Sequence, residues 1–363
     1  MRNKIAFVIN TINGLYLFRR ELVETLAADG DVIILAPNGP RNEYFRQLGC
    51  RIIETPINSH GINPISEMKL WFKYKRILKK EKPTIVFTYT IKPNIYVGAL
   101  CASLGIQYVA NITGLGTAVE KKGLFQKVVL SLYRFGLRKA QKVFFQNTES
   151  KEFMIKNRIV EQSKCDLIPG SGVNLEYFQL LEYPSAETID FVFISRIMKE
   201  KGIEEYLTSA EYIRNKYQHT RFHVCGGASD EFDQRLKSLH QNGRIIYHGS
   251  VPDVRKIHMF SSCTILPSFY PEGISNVLLE SAACGRPIIT TNRAGCRETV
   301  DDGISGFIIK QKDSNDLIEK IEKFLCLTWE QRREMGLRGR SKVEKEFDRK
   351  IVIERYLKEL PKA

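Results

Sequence analysis

The feature that most constrains the fold is an alternation, present in both halves of the chain, between short apolar or β-branched runs and segments with helical periodicity. In the first half we predict strands at Ile5–Ile9, Val32–Ala36, Arg51–Glu54, Thr84–Thr88, Tyr108–Asn111 and Val143–Gln146. In the second half we predict them at Ile189–Ser195, Phe222–Cys225, Ile245–Tyr247, Cys263–Leu266 and Pro287–Thr290. Strands that alternate with helices predict a parallel sheet with helices on both faces. The sequence therefore predicts an α/β protein with two doubly wound domains.

Helical periodicity occupies much of the sequence between these strands. Predicted helices are Tyr16–Ala28, Ser66–Lys80, Leu124–Arg138, Gly202–Lys216, Ser275–Cys284 and Ser314–Leu325. A length of 363 residues suits two domains of ordinary size. We predict an N-terminal domain at 1–174, a linker at 175–187, and a C-terminal domain at 188–345. The charged stretch 330–360 predicts one or two surface helices, and we expect 346–363 to form a helix that returns to the N-terminal domain.

Composition excludes several classes of protein. Apolar residues make up 43% and charged residues 26% of the chain, which is typical of a globular protein. No apolar run approaches the roughly 20 residues of a membrane-spanning helix. The run Ile5–Ile9 is too short for a signal peptide, so we expect a cytosolic protein. Eight cysteines without CxxC spacing favour reduced thiols over a disulfide or zinc framework.

The positive charge is concentrated in the first half. The formal net charge is +14, and residues 1–170 contain 26 Lys and Arg against 13 Asp and Glu. Such a surface attracts nucleic acid, phosphorylated substrates or anionic lipid. Basic residues alternate with apolar and aromatic ones at Lys69–Lys82 and Lys121–Lys142. Basic amphipathic helices of this kind lie in lipid interfaces, although a core-facing helix with a solvated charged face fits the pattern equally well.

The sharpest local signal lies between Ser268 and Pro287, where a loop carrying Glu272 and Gly273 joins a buried strand to a helix. Leading amide groups of a helix form an anion site, because they have no partner within the helix. The candidate anion-binding residues are Gly273, Ile274, Ser275, Asn276 and Val277. The carboxylate of Glu280 is placed to accept hydrogen bonds from ribose hydroxyl groups, and Glu272 is placed to reach a sugar ring. An ordinary helix start followed by a surface glutamate also fits this pattern.

Two further signals follow predicted strands. Arg196 and Lys201 come after the strand at 189–195, and two cations at a strand end can clamp a diphosphate. A solvated basic turn is the alternative. Gly14 follows the first strand and Gly114-Leu115-Gly116 follows the fifth, but neither completes G-x-G-x-x-G, so a dinucleotide site is only weakly indicated.

Taken together, these motifs resemble a known family. Glu272 and Glu280 resemble the E-x7-E signature of retaining glycosyltransferases of sequence family 4, which have the GT-B fold. Further landmarks are similar to those of the family in order, namely Ser195-Arg196 with Lys201-Gly202, Gly226-Gly227, Tyr247–Val251 and Leu266–Ser268. The segments 88–94 and 113–116 are similar to a bacterial subgroup that extends lipid-linked saccharides for capsule, O-antigen or protein N-glycan assembly.

The resemblance implies roles for individual residues. Arg196, Lys201 and Glu272 are expected to be catalytic, the two cations by neutralising the donor diphosphate and Glu272 by contacting the transferred sugar. Donor binding is also expected of Gly14, Gly170, Glu280 and the five residues from Gly273 to Val277. The acceptor side is expected to include Asn13, Lys92, Thr113, Gly114 and Gly116. Neither a metal nor a separate cofactor is expected.

The sequence departs from the family at one place. Many relatives carry a histidine after the fifth strand or near the Lys-Pro dipeptide, whereas this chain has Asn111-Ile112-Thr113 and Thr88-Tyr89-Thr90. No catalytic imidazole is therefore assigned. His60 is a loop candidate for contact with the acceptor, but we favour the interpretation as a solvated loop histidine.

The function that these features predict is transfer of a hexose or N-acetylhexosamine from a UDP-sugar to a polyprenyl-diphosphate-linked saccharide. We expect a peripheral protein on the inner face of the plasma membrane, with an anionic lipid surface as partner and no nucleic acid. A sugar-nucleotide epimerase on the same architecture remains an alternative, as does a basic nucleic-acid-binding protein, although no such motif is visible. A metal-dependent transferase would need an aspartate pair, and Asp29-Gly30-Asp31 falls at a predicted turn.

Overall fold

The computed structural model describes residues 3–57, 63–116, 119 and 123–361. It divides the chain into two compact units, Met1–Ser171 with Ile351–Ala363, and Gly172–Lys350. The segment 175–187, which we predicted to be a linker, instead lies within the second unit. Its backbone is bound there, because the carbonyl groups of Glu182 and Pro184 accept hydrogen bonds from Arg286 (2.7 Å) and the Trp329 indole (2.7 Å).

The first unit is built on a parallel sheet. Its strands, within the described residues, are β1 (Lys4–Val8), β2 (Asp31–Ala36), β3 (Arg51–Glu54), β4 (Ile85–Tyr89), β5 (Gln107–Ile112), β6 (Lys142–Phe145) and β7 (Cys165–Leu167). Their order across the sheet is β3-β2-β1-β4-β5-β6-β7. The sequence predicted the first six to within two residues at either end. It missed β7, because a three-residue edge strand is too short to show a period.

Helices cover both faces of this sheet. They are α1 (Ile12–Asp29), α2 (Asn42–Gln47), α3 (Pro64–Glu81), α4 (Ile91–Leu104), α5 (Leu124–Leu137) and α6 (Thr148–Lys156). Alternate residues of each strand point to opposite faces, so Ala6 and Val8 pack with the buried residues of α3, α4 and α5. Ile5 and Phe7 pack with those of α1 instead. Burial on both faces explains why the strands are almost wholly apolar.

The second unit repeats the design. Its described strands are β8 (Ile189–Ile194), β9 (Thr220–Cys225), β10 (Ile246–Gly249), β11 (Cys263–Leu266), β12 (Ile288–Thr291) and β13 (Gly306–Ile309). They are parallel and ordered β10-β9-β8-β11-β12-β13. Of these, β13 is absent from our predictions. In both sheets the order reverses next to the first strand of the unit, and ligands of such folds bind beyond the carboxyl ends of the strands at that point.

The helices of the second unit are α7 (Ile203–Lys216), α8 (Asp230–Gln241), α9 (Arg255–Phe260), α10 (Asn276–Ala283), α11 (Ser314–Leu325) and α12 (Trp329–Glu346). Here the prediction of surface helices in the stretch 330–360 was only partly right. Helix α12 has a charged outer side, but Met335 and Val343 are buried in the core of the unit, and Arg340 donates a hydrogen bond to the Ala283 carbonyl group (2.8 Å).

The last helix, α13 (Arg349–Leu357), belongs to the first unit from Ile351 onward. Its Tyr356 is buried among the rings of Phe87, Tyr89 and Phe144, and its hydroxyl donates to the side-chain oxygen of Asn111. The residues at the carboxyl end of the chain thus complete the core of the unit that contains its first strands.

Two observations concern the whole described chain. None of its described helices combines the length and the apolar character needed to cross a lipid bilayer. All eight cysteines, which lie within the described residues, carry free thiols.

Candidate functional site

The site begins where β8 and β11 end side by side. After β8 the chain passes through Arg196 into a short 3-10 helix, Lys199–Lys201, and turns at Gly202 into α7. Gly202 has a φ of 81°, and a Cβ atom there would lie 2.2 Å from the carbonyl oxygen of Pro267, which follows β11. Only glycine fits this contact. The absence of a side chain at Gly202 therefore lets the loop after β8 approach the loop after β11 closely.

Hydrogen bonds join the same two loops. The Glu200 carbonyl group accepts from the Phe269 amide (2.9 Å) and from the Ser268 hydroxyl (3.4 Å). The Ser268 hydroxyl in turn accepts from the Tyr270 amide (3.2 Å). These bonds fix the position of the loop after β11 relative to Lys201.

Lys201 and Glu272, which the sequence places 71 residues apart, form an ion pair at the centre of the site. The Lys201 ammonium group donates to the Glu272 carboxylate, and the Ser268 hydroxyl shares its one hydrogen between the same Glu272 oxygen (3.3 Å) and the Glu200 carbonyl group. Lys201 is buried and Glu272 is half-buried. Because little of this ion pair is exposed to solvent, its geometry is fixed. A ligand can contact it only where the two side chains reach the surface.

Tyr270 forms an aromatic floor beneath the cations. Its ring centroid lies 5.0 Å from the Lys201 ammonium nitrogen and 5.8 Å from the guanidinium carbon of Arg196. Cations are attracted to the face of an aromatic ring at such distances. Arg196 itself is exposed, and the neighbouring Ile197 amide is bound to the Gly227 carbonyl group (2.8 Å). The two predicted cations therefore converge on one ring, with Arg196 on the solvent side.

The start of α10 lies beside this pair. Ser275 is the N-cap residue, and its side chain makes no capping hydrogen bond. Its amide donates to the Gly295 carbonyl group (2.7 Å). Gly295 has a φ of 90°, and a Cβ atom there would clash with the Gly273 carbonyl oxygen at 2.5 Å. The loop after β12 thus supports the segment 272–275 from behind. Leading amides and the helix dipole make this end of α10 suited to an anion.

Glu280 lies in the second turn of α10, as predicted. It is half-buried, and the burial of its carboxyl group raises its pKa to about 7, against the opposing effect of Arg349. A carboxyl group in such a setting accepts or donates hydrogen bonds near neutral pH, which suits contact with hydroxyl groups.

The predicted site residues of the second unit therefore come together. Arg196, Lys201, Glu272 and the segment Gly273–Ser275 lie in the segments that follow β8 and β11 at the carboxyl edge of one sheet. Asn276, Val277 and Glu280 continue into α10. Tyr270 and Gly295 were missed. Tyr270 lies inside the run that the sequence singled out, and its position next to Pro271 was the available signal. Gly295 was marked only by being a glycine soon after a strand.

The predicted acceptor-side residues follow three neighbouring strands of the first sheet. Asn13 lies in the first turn of α1 after β1, next to the predicted donor-binding residue Gly14. Lys92 lies in the first turn of α4 after β4, and 113–116 directly after β5. Because β1, β4 and β5 are adjacent and parallel, their carboxyl ends share one edge. Lys92 forms an ion pair with Glu67 (2.6 Å).

Three predicted residues need separate mention. The start predicted for α1 was too late, so Gly14 is a helical residue and not part of a turn. Gly170 lies in the first unit, where its carbonyl group accepts from the Arg19 guanidinium (3.2 Å). Roles for Gly14 and Gly170 in donor binding stay predictions. His60 lies outside the described residues.

Within the part of the chain that the structure describes, no group of three or more His, Cys, Asp or Glu side chains is arranged to hold a metal ion. Asp29 ends α1 and Asp31 begins β2, so the Asp-Gly-Asp sequence forms the predicted connection between helix and strand.

Two protein-family models match this chain. The model described as Glycosyl transferases group 1 matches residues 183–342, and the model described as Glycosyl transferase 4-like matches residues 4–147. Together they contain every described strand except β7, and the first of them contains every second-unit residue of the candidate site.

Curated relatives match over nearly their whole length. One is the N,N'-diacetylbacillosaminyl-diphospho-undecaprenol alpha-1,3-N-acetylgalactosaminyltransferase of Campylobacter jejuni, 26% identical over 98% of this chain and 97% of its own. Another is the capsular polysaccharide biosynthesis glycosyltransferase CapM of Staphylococcus aureus, 28% identical over 98% of this chain and 96% of its own.

Solved structures share the architecture. A glycosyltransferase from Rickettsia africae superposes with a TM-score of 0.81 and 21% identity, covering 98% of this chain and 97% of its own. HepE from Anabaena, solved with UDP and glucose, also has a TM-score of 0.81, with 15% identity and coverage of 98% and 99%. These similarities confirm the predicted fold of two Rossmann-like units, known as GT-B.

Proposed function

We propose that this chain, which belongs to the group 1 and 4-like glycosyl transferases, moves a hexose or N-acetylhexosamine from a UDP-sugar to a saccharide carried on polyprenyl diphosphate. The observation that carries the donor half of the proposal is the ion pair of Lys201 and Glu272, set beside Arg196 at the start of α10. The acceptor half is supported by the diphospho-undecaprenol substrate in the name of the Campylobacter jejuni relative.

The donor diphosphate is assigned to the exposed edge of this cluster. As the bond between the sugar and the diphosphate breaks, negative charge grows on the departing oxygen. Arg196, Lys201 and the leading amides of α10 are fixed dipoles and charges that stabilise this oxygen without reorganising. Glu280 is assigned to the ribose hydroxyls. The cations thus favour the transition state over the bound donor.

We assign Glu272 to the hydroxyl groups of the transferred sugar. Its carboxylate is already bound by Lys201 and Ser268, so it is a poor nucleophile and a well-oriented hydrogen-bond acceptor. Without a carboxylate nucleophile, the acceptor hydroxyl attacks from the face that the nucleotide leaves and its proton passes to the departing phosphate. The configuration at the anomeric carbon is then retained.

The acceptor is assigned to the shared edge of β1, β4 and β5, which carries Asn13, Lys92 and the loop 113–116. We further propose that the basic first half holds the protein on the anionic inner face of the plasma membrane. Residues 1–170 contain 26 basic and 13 acidic residues, and this excess of positive charge supports the location.

Release of nucleotide tests the proposal. The protein is incubated with a panel of UDP-sugars and polyprenyl-diphosphate-linked saccharides extracted from membranes, and UDP and product are measured. We expect UDP release that requires acceptor and persists in EDTA, and a product whose new linkage keeps the anomeric configuration of the donor. Conversion of the donor without acceptor would indicate an epimerase, loss of activity in EDTA a metal-dependent transferase, and an inverted linkage a different mechanism.

A matched pair of variants tests the site. Lys201→Met should lower the rate at least roughly a hundredfold, since one fixed charge at a developing oxyanion contributes a factor of about 10² to 10³. Lys199→Met removes an exposed lysine from the same short helix and should leave the rate unchanged. Equal rates in the two variants would remove Lys201 from the donor site.

A further inference from the structure

Helix α5 exposes an apolar stripe. Leu124, Phe125, Val128, Leu132 and Phe135 are between 41% and 80% exposed. At 3.6 residues per turn they fall within one arc of about 100° along the helix. The opposite arc is buried against the sheet, because Val129, Leu130, Tyr133 and Leu137 belong to the core. A continuous row of large apolar side chains on a surface marks a place of interaction.

A basic cavity lies at the carboxyl end of this stripe. It has a volume of about 370 Å³ and is lined by the cations Arg134, Arg138, Arg158 and Lys164. Its lining within the described residues contains a single acid, Glu161, which pairs with Lys164 (3.3 Å). The Arg138 guanidinium lies 5.8 Å from the ring centroid of Phe135, the last residue of the stripe. The cavity and the stripe are therefore parts of one surface.

The walls of the cavity are fixed through the backbone. Arg134 donates to the carbonyl groups of Asn157 and Arg158 (3.0 Å each), and Lys164 donates to the Arg138 carbonyl group (3.0 Å). No carboxylate of the described chain pairs with the guanidinium groups of Arg138 or Arg158. Two exposed arginines that line a cavity without an acidic partner suit a phosphate, which accepts their hydrogen bonds in pairs.

A second arginine-lined cavity shows that this arrangement is not general. In the second unit a cavity of about 530 Å³ is lined by Arg214, Arg235 and Arg244. Here Arg235 pairs with Glu204 (2.6 Å) and Arg244 with Glu211 (3.5 Å), so the chain supplies its own counter-charges. No row of exposed large apolar side chains adjoins it in the described chain, since Tyr212 is the one large apolar residue of α7 that is more than a third exposed.

We propose that the cavity at the end of α5 binds the phosphate group of an anionic phospholipid while the apolar stripe lies at the boundary of the acyl chains in the same leaflet. The contact with Phe135 favours a phosphate that belongs to a lipid, because a free phosphate would leave the stripe unused. The proposal rests on the proposed function only in that a lipid-linked acceptor requires the protein to reach a bilayer. It adds a phospholipid site separate from both donor and acceptor.

Vesicle sedimentation without donor or acceptor tests this inference. The full chain is mixed with one of two vesicle types. One contains phosphatidylcholine alone, and the other contains phosphatidylcholine with about 30% of the anionic lipid phosphatidylglycerol. We expect binding that requires phosphatidylglycerol. Arg138→Glu/Arg158→Glu should lower the partition coefficient roughly a hundredfold or more, since it reverses two charges near the surface. Val128→Ser/Phe135→Ser should lower it roughly tenfold or more through lost apolar burial.

Arg235→Glu/Arg244→Glu makes the same charge change at the other cavity and serves as the control. It should bind vesicles like the unaltered protein. Equal binding by the two double-Glu variants would overturn the proposal, as would tight binding of inorganic phosphate by a protein that ignores phosphatidylglycerol vesicles. UDP release with a detergent-solubilised acceptor should be unchanged in Arg138→Glu/Arg158→Glu, so failure of the lipid site and failure of the transferase are separate results.

Discussion

Replacing Lys201 with methionine tests the donor site most sharply, because stability and binding should respond in different ways. Methionine retains the apolar stem and removes only the ammonium group. The Ser268 hydroxyl, 3.3 Å away, still faces the Glu272 carboxylate, whose side chain is 15% exposed. The carboxylate has lost the buried ammonium group of Lys201 that offset the cost of its own burial.

The size of the stability effect follows from that exposure. Removing one partner of a fully buried pair costs about 3–5 kcal/mol, and partial exposure of Glu272 reduces this to about 2–3 kcal/mol. For a domain of this size each kcal/mol lowers Tm by roughly 2–4 °C, so we expect a fall of roughly 4–12 °C. Affinity for UDP should fall roughly 10- to 100-fold, since a charged hydrogen bond to phosphate contributes about 1.5–3 kcal/mol.

The double variant Lys201→Met/Glu272→Gln separates the two effects. It removes both charges, so calorimetry should show most of the lost Tm restored, whereas isothermal titration should still show weak UDP binding. Lys199→Met is the control and should change neither quantity. If Lys201→Met binds UDP as tightly as the unaltered protein, the pair serves only the fold and the assignment of the donor site is wrong.

Two more substitutions test the surroundings of the pair. Because the pKa of Glu280 is raised to about 7, from about 4.3 in an unfolded chain, the folded protein loses stability as the pH rises from about 4 to 7. Glu280→Gln should therefore raise the free energy of unfolding by about 1–2 kcal/mol at pH 8 and by almost nothing at pH 4 in urea titrations; an equal effect at both values would contradict the shift. Gly202→Ala should cost about 2–4 kcal/mol, because it adds a clash with Pro267 to the strain of a positive φ. Gly243→Ala, at a φ of 65° with nothing within 4 Å, should cost only about 1 kcal/mol by the same unfolding assay, and equal costs would show that the loop after β11 can move away.

The strands and the long helices were predictable because burial on both faces leaves apolar runs that only a parallel sheet explains. Arg51–Glu54 and Cys263–Leu266 were predicted to the residue. The supposed linker was not, since Pro184 and mixed polarity are typical of linkers, and nothing local reveals that Arg286 and Trp329 bind its carbonyl groups. Both are more than 90 positions away along the chain.

For the site, the sequence identified which loops carry the chemistry and left open how they meet. Lys201 and Glu272 were assigned separate roles, a cation for phosphate and a carboxylate for sugar. Their ion pair depends on β8 and β11 being neighbours in the sheet, a matter of strand order that periodicity does not encode. The same holds for Tyr270, which lies in the loop after β11 and faces two cations of the loop after β8.

The position of α13 has a consequence for biosynthesis. A ribosome releases the amino end first, yet the core around Tyr89 and Phe144 lacks Tyr356 until translation has passed position 356. The guanidinium group of Arg19 lies 5.8 Å from the Tyr356 ring and is buried, so it stays partly hydrated in the nascent chain. The first unit therefore completes its core only after the whole second unit has been translated. A premature stop codon before position 351 would leave that core incomplete.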